Sequence, residues 1–212
     1  MNMILLGAPG AGKGTQGTLL SEQLQIPTIS TGNMLREAMR NGSALGEQVK
    51  KIMDEGSLVP DDVIIAMITE RVAKSDCANG FILDGVPRTL AQAQRMDAVG
   101  IHIDHVVSLE VDDNAIAERM SGRRVCPSCG ASFHLVNNPP KTEGICDYCG
   151  GNVTIRKDDE PETVKHRLAV YHASTEVLKQ YYEGKGKLRL VYGDQPIEDT
   201  KRDILKAIGE TV

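Results

Sequence analysis

The sequence predicts an α/β fold, a five-stranded parallel sheet with helices on both faces, from three observations. Five short apolar runs recur along the chain without the strict alternation of a half-exposed sheet. Stretches with helical spacing separate them. A glycine-rich turn, GAPGAGKGTQ, joins the first run to the first helix.

The runs are MNMILLG at 1–7, IPTIS at 26–30, GFILDG at 80–85, HVVSLEV at 105–111 and LRLVY at 188–192. The first helix follows the glycine turn to about Gln25. The second covers Asn33 to Arg40. The third runs from Ala44 to Glu55, with Ser43 as its cap and Gly56 as its stop. Pro60 opens PDDVIIAMITERVAK, whose two aspartates sit at the positive end of the helix dipole. Thr89 to Val99, Asp112 to Ser121, Glu160 to Glu183 and Ile197 to Ile208 complete the set. Two stretches break the alternation. Residues 31–59 hold two helices and no strand, and residues 122–159 hold two CxxC pairs, three prolines and no sustained period. Both read as insertions over the mouth of the sheet, where ligands bind at the strand ends.

At 212 residues the chain can bury one good core. With no Trp and only two Phe, that core must rest on Leu, Ile, Val, Met and Ala. No apolar run approaches the roughly 20 residues that span a bilayer, and residues 3–6 are too few for a signal-peptide core. A cytoplasmic location, with no membrane partner, is the expectation. The net charge of −5 argues against a generic nucleic-acid binder. A small polyanion remains open to a local arginine cluster.

The turn after the first strand fits the phosphate-loop pattern G-x-x-x-x-G-K-[ST] through Gly7, Gly12 and Lys13, and then departs from it. Gly14 stands where a hydroxyl would take magnesium, and Thr15 comes one place late. Backbone amides, the Lys13 charge and the helix N-terminus still suit phosphate. The ion would then be held more loosely, through water and the nucleotide, with Asp84 at the end of the third strand as the expected acid.

Arginines stand at element ends: Arg36, Arg88, Arg119, Arg123, Arg124, Arg156 and Arg167. Arg119 and Arg123 share a helix face, and guanidinium groups suit bidentate capture of phosphate. There is no H-R-D-type catalytic loop and no glutamine placed to orient a water. Transfer from phosphate to phosphate needs neither, because the acceptor oxygen is already anionic, with a second pKa of about 6. What remains is to hold two polyanions in line and neutralise them.

GAPGAGKGT, STGNMLR, DGVPRT, RMSGRR and DDEPETVKHRL resemble, in order and spacing, the adenylate kinase family in its long-lid form, across nearly the whole chain. The resemblance implies a phosphate-loop NTPase-like core (1–29, 60–121 and 160–212), a nucleoside monophosphate-binding insertion (30–59) and a metal-binding lid (122–159). It implies ATP, AMP and ADP as ligands, Mg2+ travelling with ATP, and a monomer. Gly10, Ala11, Gly12, Lys13, Gly14 and Thr15 would wrap the ATP phosphates. Arg119, Ser132, Phe133 and Gln195 would lie along ATP. Thr31, Arg36, Ser57, Leu58, Val59, Gly85, Val86, Pro87, Arg88 and Gln92 would form the AMP site. Lys13, Arg88, Arg123, Arg156 and Arg167 would surround the transferring phosphoryl group, with Asp84 supporting magnesium. Asp158 and Asp159 would order the lid arginines. Two positions depart from the family: Asn33 replaces its usual Asp and Val86 its usual Phe, which implies a weaker lid contact and looser packing.

CPSC at 126–129 and CDYC at 146–149 have the spacing of a four-cysteine zinc ribbon. Cys126, Cys129, Cys146 and Cys149 would close a tetrahedral shell around one structural Zn2+, leaving no catalytic position. Disulfides or unpaired thiols are the alternatives, disfavoured inside a cell. Cys77 reads as a small buried residue. His134 is left out of the metal shell, and His102, His105, His166 and His172 carry no motif. Two other functions stay open: the same chemistry with UMP or CMP as acceptor, and a zinc-ribbon binding module on a vestigial nucleotide fold. The second would want basic and aromatic residues around the cysteines, and few are there.

Overall fold

A computed structural model describes residues 1–211. Five parallel strands form one sheet in the order β2-β3-β1-β4-β7: β1 is Asn2–Gly7, β2 Thr28–Ser30, β3 Phe81–Asp84, β4 His105–Glu110 and β7 Leu188–Tyr192. β1 lies centrally, with Leu5 opposite Asp84 of β3 and Gly7 opposite Leu109 of β4. The chain winds to one side of β1 first and to the other side after β3, so the loop after β1 sits at the switch point of the sheet.

The continuous apolar strands are explained by burial on both faces. Ile4, Leu6, Ile29, Leu83 and Val106 pack on one face with Ile64, Ile65 and Ile68 of α4 (Asp61–Val72), Ala93 and Met96 of α5 (Leu90–Ala98), and Leu178 and Tyr182 of α8 (Leu178–Gly184). Met3, Leu5, Ile82, Val107 and Leu109 pack on the other with Leu20 of α1 (Lys13–Leu24) and Ile204 and Leu205 of α9 (Ile197–Ala207). A fully buried aliphatic side chain contributes about 1.5–3 kcal/mol, so these faces carry the fold. Gly17, inside α1, has a packing reason: a Cβ there would stand 3.0 Å from the Thr28 methyl.

Several boundaries differ from expectation. β2 is shorter than 26–30 because Pro27 has no N–H to give, though its carbonyl still accepts from Ile82. α2 (Thr31–Arg40) starts at once after β2, and α3 (Ala44–Asp54) follows with Ser43 accepting from the Gly46 amide. The helix expected over 160–183 is α7 (Pro161–Val170), a π-helical turn (Tyr171–Thr175) and then α8. The buried spacing 164, 168, 171, 175, 178, 182 runs through that turn unchanged, which hides it from the sequence. After α6 (Asp113–Gly122), the stretch without period contains an antiparallel pair, β5 (Arg123–Val125) and β6 (Ser132–His134).

Candidate functional site

The phosphate loop is built as its glycines predict. Gly12 caps α1 at φ 98°, a left-handed conformation, and no side chain caps the helix. The first amides of α1 therefore lack intrahelical partners and form an anion site. Lys13 Nζ donates to the carbonyls of Gly7 (2.7 Å) and Ala8 (2.8 Å), folded over the loop it serves. Burial, reinforced by Arg88, Arg167 and Arg123, pushes its ammonium down to about 8 against the pull of Asp84.

Gly14 is not demanded by strain. A Cβ there would stand 3.7 Å from Asp84 Oδ2. A carboxylate oxygen from β3 thus occupies the neighbourhood that a hydroxyl at position 14 would reach. Asp84, the acid singled out in the sequence, ends the strand β3 next to β1.

A cavity of about 1250 Å³ opens beyond this floor. Small-ligand pockets usually measure about 300–1,000 Å³, so the space exceeds that of one ligand. Its lining includes Gly10, Ala11, Gly12, Lys13, Gly14, Thr15, Arg36, Leu58, Asp84, Gly85, Pro87, Arg88, Arg119, Arg123, Ser132, Phe133, Arg156, Arg167 and Gln195. Thr31, Val59, Val86 and Gln92 are buried just behind the wall, and Ser57 turns its hydroxyl toward His166 (3.4 Å). Thr31 instead bonds the Gly85 carbonyl (3.0 Å). Gly85 itself, at φ 85°, could not carry a side chain: its Cβ would stand 2.8 Å from the Thr31 hydroxyl and 3.1 Å from Arg88 Nη2. Val86 is packed in the core at 1 % exposure.

The arginines converge from three elements and two loops: Arg36 from α2, Arg123 from β5, Arg167 from α7, and Arg88 and Arg156 from loops. Desolvation lowers Arg36 and Arg88, and pushes Arg156 down to about 9 and Arg167 to about 10, with neighbouring guanidinium groups adding to the effect on Arg156 and Arg167. A guanidinium is not deprotonated in a protein, so burial here costs solvation without removing charge. The acids only partly compensate. Asp159, with a fully buried side chain, accepts from Arg123 Nε (2.7 Å) and Arg167 Nη1 (3.1 Å). Asp158 pairs with Arg167 at 3.0 Å. Burial would raise the Asp158 carboxyl, but Arg167, Arg156, Arg36 and Arg123 hold it below its ordinary value. Arg156 Nε is buried without a partner among the described residues.

Arg119 lines the far end of the cavity, tied to the Gly193 carbonyl (2.9 Å) and Asp194 (3.0 Å). Gln195 is held through its side chain by Tyr192 and Asp203. His134, which sequence reasoning set aside, belongs to the same wall. Its Nδ1 accepts from the amides of Val136 and Asn137 (3.1 Å each), which leaves Nε2 as the donor nitrogen, buried without a partner among the described residues. Only the β5–β6 register, which places His134 opposite Arg123, could have revealed it.

The α2–α3 insertion meets the lid. Arg40 donates to the carbonyls of Pro127 and Ser128 (2.9 Å), inside the first CxxC turn, and Lys157 pairs with Asp54 at 2.8 Å. Asn33 accepts from Arg36 (2.7 Å) and lies against Gly130 of the lid. The four thiols of Cys126, Cys129, Cys146 and Cys149 lie within 4.8 Å of one another. Cys126 and Cys149 sulfurs are 3.4 Å apart and Cys129 and Cys146 sulfurs 3.5 Å, far beyond a disulfide bond of about 2.05 Å. A tetrahedron with metal–sulfur bonds of about 2.3 Å has edges of about 3.8 Å, so the donor set fits a four-coordinate metal. Cys77 is buried beside Arg71, away from this cluster. No helix among the described residues is long and apolar enough to cross a membrane.

The adenylate kinase family pattern matches residues 5–187. Adenylate kinases of Caldicellulosiruptor bescii and Caldicellulosiruptor saccharolyticus are each 54 % identical to this chain, with 99 % of both partners covered. That of Geobacter sulfurreducens is 50 % identical, over 98 % of each chain. A family match over most of the chain, and relatives at this identity over nearly full length, carry one conclusion: the chain belongs to the adenylate kinase family.

Proposed function

We propose that this chain catalyses MgATP + AMP ⇌ 2 ADP by direct in-line transfer between two bound nucleotides. One observation carries the reading: Lys13, Arg36, Arg88, Arg123, Arg156 and Arg167 line one cavity of about 1250 Å³, whose floor is a phosphate loop. A hydrolase would need an oriented water, and transfer to a hydroxyl often employs a base. Here the lining offers cations that neutralise two polyanions while their terminal oxygens approach.

In this reading the α1 amides, Lys13 and Thr15 bind the ATP phosphates, and Arg119, Ser132, Phe133 and Gln195 hold the nucleoside. Arg36, Leu58, Gly85, Pro87 and Arg88 receive AMP, backed by Thr31, Ser57, Val59, Val86 and Gln92. Arg123, Arg156 and Arg167 gather around the transferring group. Asp84, with Gly14 leaving room beside it, fits a magnesium ion brought by ATP, which supplies charge neutralisation. The four cysteines would hold one structural Zn2+ that orders the lid.

The units proposed are a core of 1–29, 60–121 and 160–212, an AMP-binding insertion of 30–59 and a lid of 122–159, working as a monomer in the cytoplasm. Closure of the two smaller units would exclude water and suppress hydrolysis. The test is ADP formation from ATP with AMP, UMP or CMP as acceptor. Rates with UMP or CMP far above the AMP rate would overturn the adenylate reading.

A further inference from the structure

Arg88 sits in the loop Gly85–Thr89, which leaves the sheet after β3 and has no strand ladder to hold it. Its backbone is held on both sides instead. The Arg88 amide donates to Gln92 Oε1 at 2.7 Å, and its carbonyl accepts from the Thr175 hydroxyl at 2.8 Å. Gln92 is fixed in turn: its Nε2 donates to Asp61 Oδ1 at 2.7 Å, and a carboxylate cannot donate back. Arg88 Nε donates to the Gly85 carbonyl at 3.0 Å. Only the two terminal nitrogens are left, and among the described residues neither makes a hydrogen bond or ion pair. Arg88 lines the cavity.

Thr175 is the last residue of the π-helical turn, where the Glu176 amide reaches back to the Tyr171 carbonyl at 3.0 Å. Such turns are rare and occur often at functional sites. Thr175 is only 5 % exposed, and its hydroxyl bonds across the fold instead of to its own helix. The same continuous stretch carries Arg167.

We propose that Thr175 is a positioning residue for Arg88: its hydroxyl, presented by the π-helical turn, holds the Arg88 carbonyl and so sets the Arg88 guanidinium relative to Arg167. The proposal rests on the phosphoryl-transfer reading above. Several cations crowd this cavity and repel one another. A loop held by few bonds would relax away from them, and a displacement of about 1 Å at such a site can cost about 10²-fold in rate.

The test is a double-mutant cycle. Thr175→Val keeps the shape and removes the hydroxyl, Thr175→Ser restores it, and each is made in wild type and in Arg88→Ala. Thr175→Val is expected to lower kcat about tenfold, a barrier change of about 1.4 kcal/mol, with KM for AMP within about twofold. Thr175→Ser should restore most of the loss. In the Arg88→Ala background, Thr175→Val should change kcat less than about twofold. An unchanged kcat in Thr175→Val, or an equal loss in both backgrounds, would overturn the positioning role. Wild type is assayed alongside: active wild type with an unaffected Thr175→Val sinks this proposal alone, while wild type inactive toward ATP and AMP sinks both. Should Thr175→Val not fold, Thr175→Ala and Thr175→Ser form the same comparison.

Discussion

The floor of the cavity and the cover over it are held by different forces. Below, the phosphate loop leaves a strand whose Met3, Ile4, Leu5 and Leu6 are almost fully buried, between two large apolar clusters. Above, the segment 122–159 has a buried cluster of only Cys126, Phe133 and Cys146, two of which are candidate metal ligands. The floor gains its geometry from hydrophobic burial and can spend its polar side chains on ligand. The cover has little core of its own, and a unit this small normally needs a staple. Function and stability are therefore separable below and joined above.

The largest expected effect tests the first half of that contrast. Arg88→Ala should lower kcat by about 10²–10³-fold, the scale of losing one charge-stabilising donor. Its melting temperature should equal or exceed that of wild type, since a crowded cation is removed. A clear drop in melting temperature would show that the floor arginines also carry stability.

Asp159→Asn probes the seam between floor and cover. The substitution keeps the shape and leaves Arg123 and Arg167 short of their shared buried carboxylate. Breaking a buried pair costs about 3–5 kcal/mol; denaturant unfolding should show a loss near the lower figure because the cavity admits water. A loss below about 1 kcal/mol would mean the pairing is replaceable.

Metal removal tests the second half. With a strong chelator, the amides of Val125, Cys146 and Thr154, which are bonded within the lid, should exchange at least about 10²-fold faster. Amides of β1 should keep their protection. Equal protection with and without chelator, together with no zinc in metal analysis, would remove the staple from the account.

The smallest effect concerns the stems of the lid. His172 bridges Glu176 (2.9 Å) and Asp113 of α6 (3.0 Å), and these hydrogen bonds raise its pKa, opposed by slight burial. A raised folded pKa means the stabilisation is fully present below the unfolded value of about 6.5 and is lost as pH rises through the folded value. Because the ring is nearly half exposed, solvent screens the pair. His172→Gln should melt about 1–2 °C below wild type at pH 5.5, with the gap closing by pH 9. A gap that widens with pH would reverse the assignment.

Much of this contrast was legible in the sequence. The five strands and most helices follow from spacing alone, because burial on both faces leaves a run with no alternation and burial on one face leaves a helical period. The glycine turn, the late Thr15 and the two CxxC pairs are local patterns, readable without any partner. The π-helical turn was not, since the apolar spacing passes through it unbroken. The β5–β6 pair was not either, because three-residue strands are too short to show a period.

By itself, then, the sequence determined the sheet, the phosphate loop with its displaced hydroxyl, the supply of arginines and the four thiols. Each is encoded by neighbours in the chain. Only the tertiary structure decided which groups meet: Asp84 beside Gly14, Asp159 between Arg123 and Arg167, His134 on the cavity wall, and the chain from Asp61 through Gln92 and Arg88 to Thr175. The decisive pairings span long stretches of chain, 87 residues for Thr175 and Arg88, 36 for Asp159 and Arg123 and 31 for Gln92 and Asp61. Periodicity states which face of an element is buried and is silent on what it is buried against.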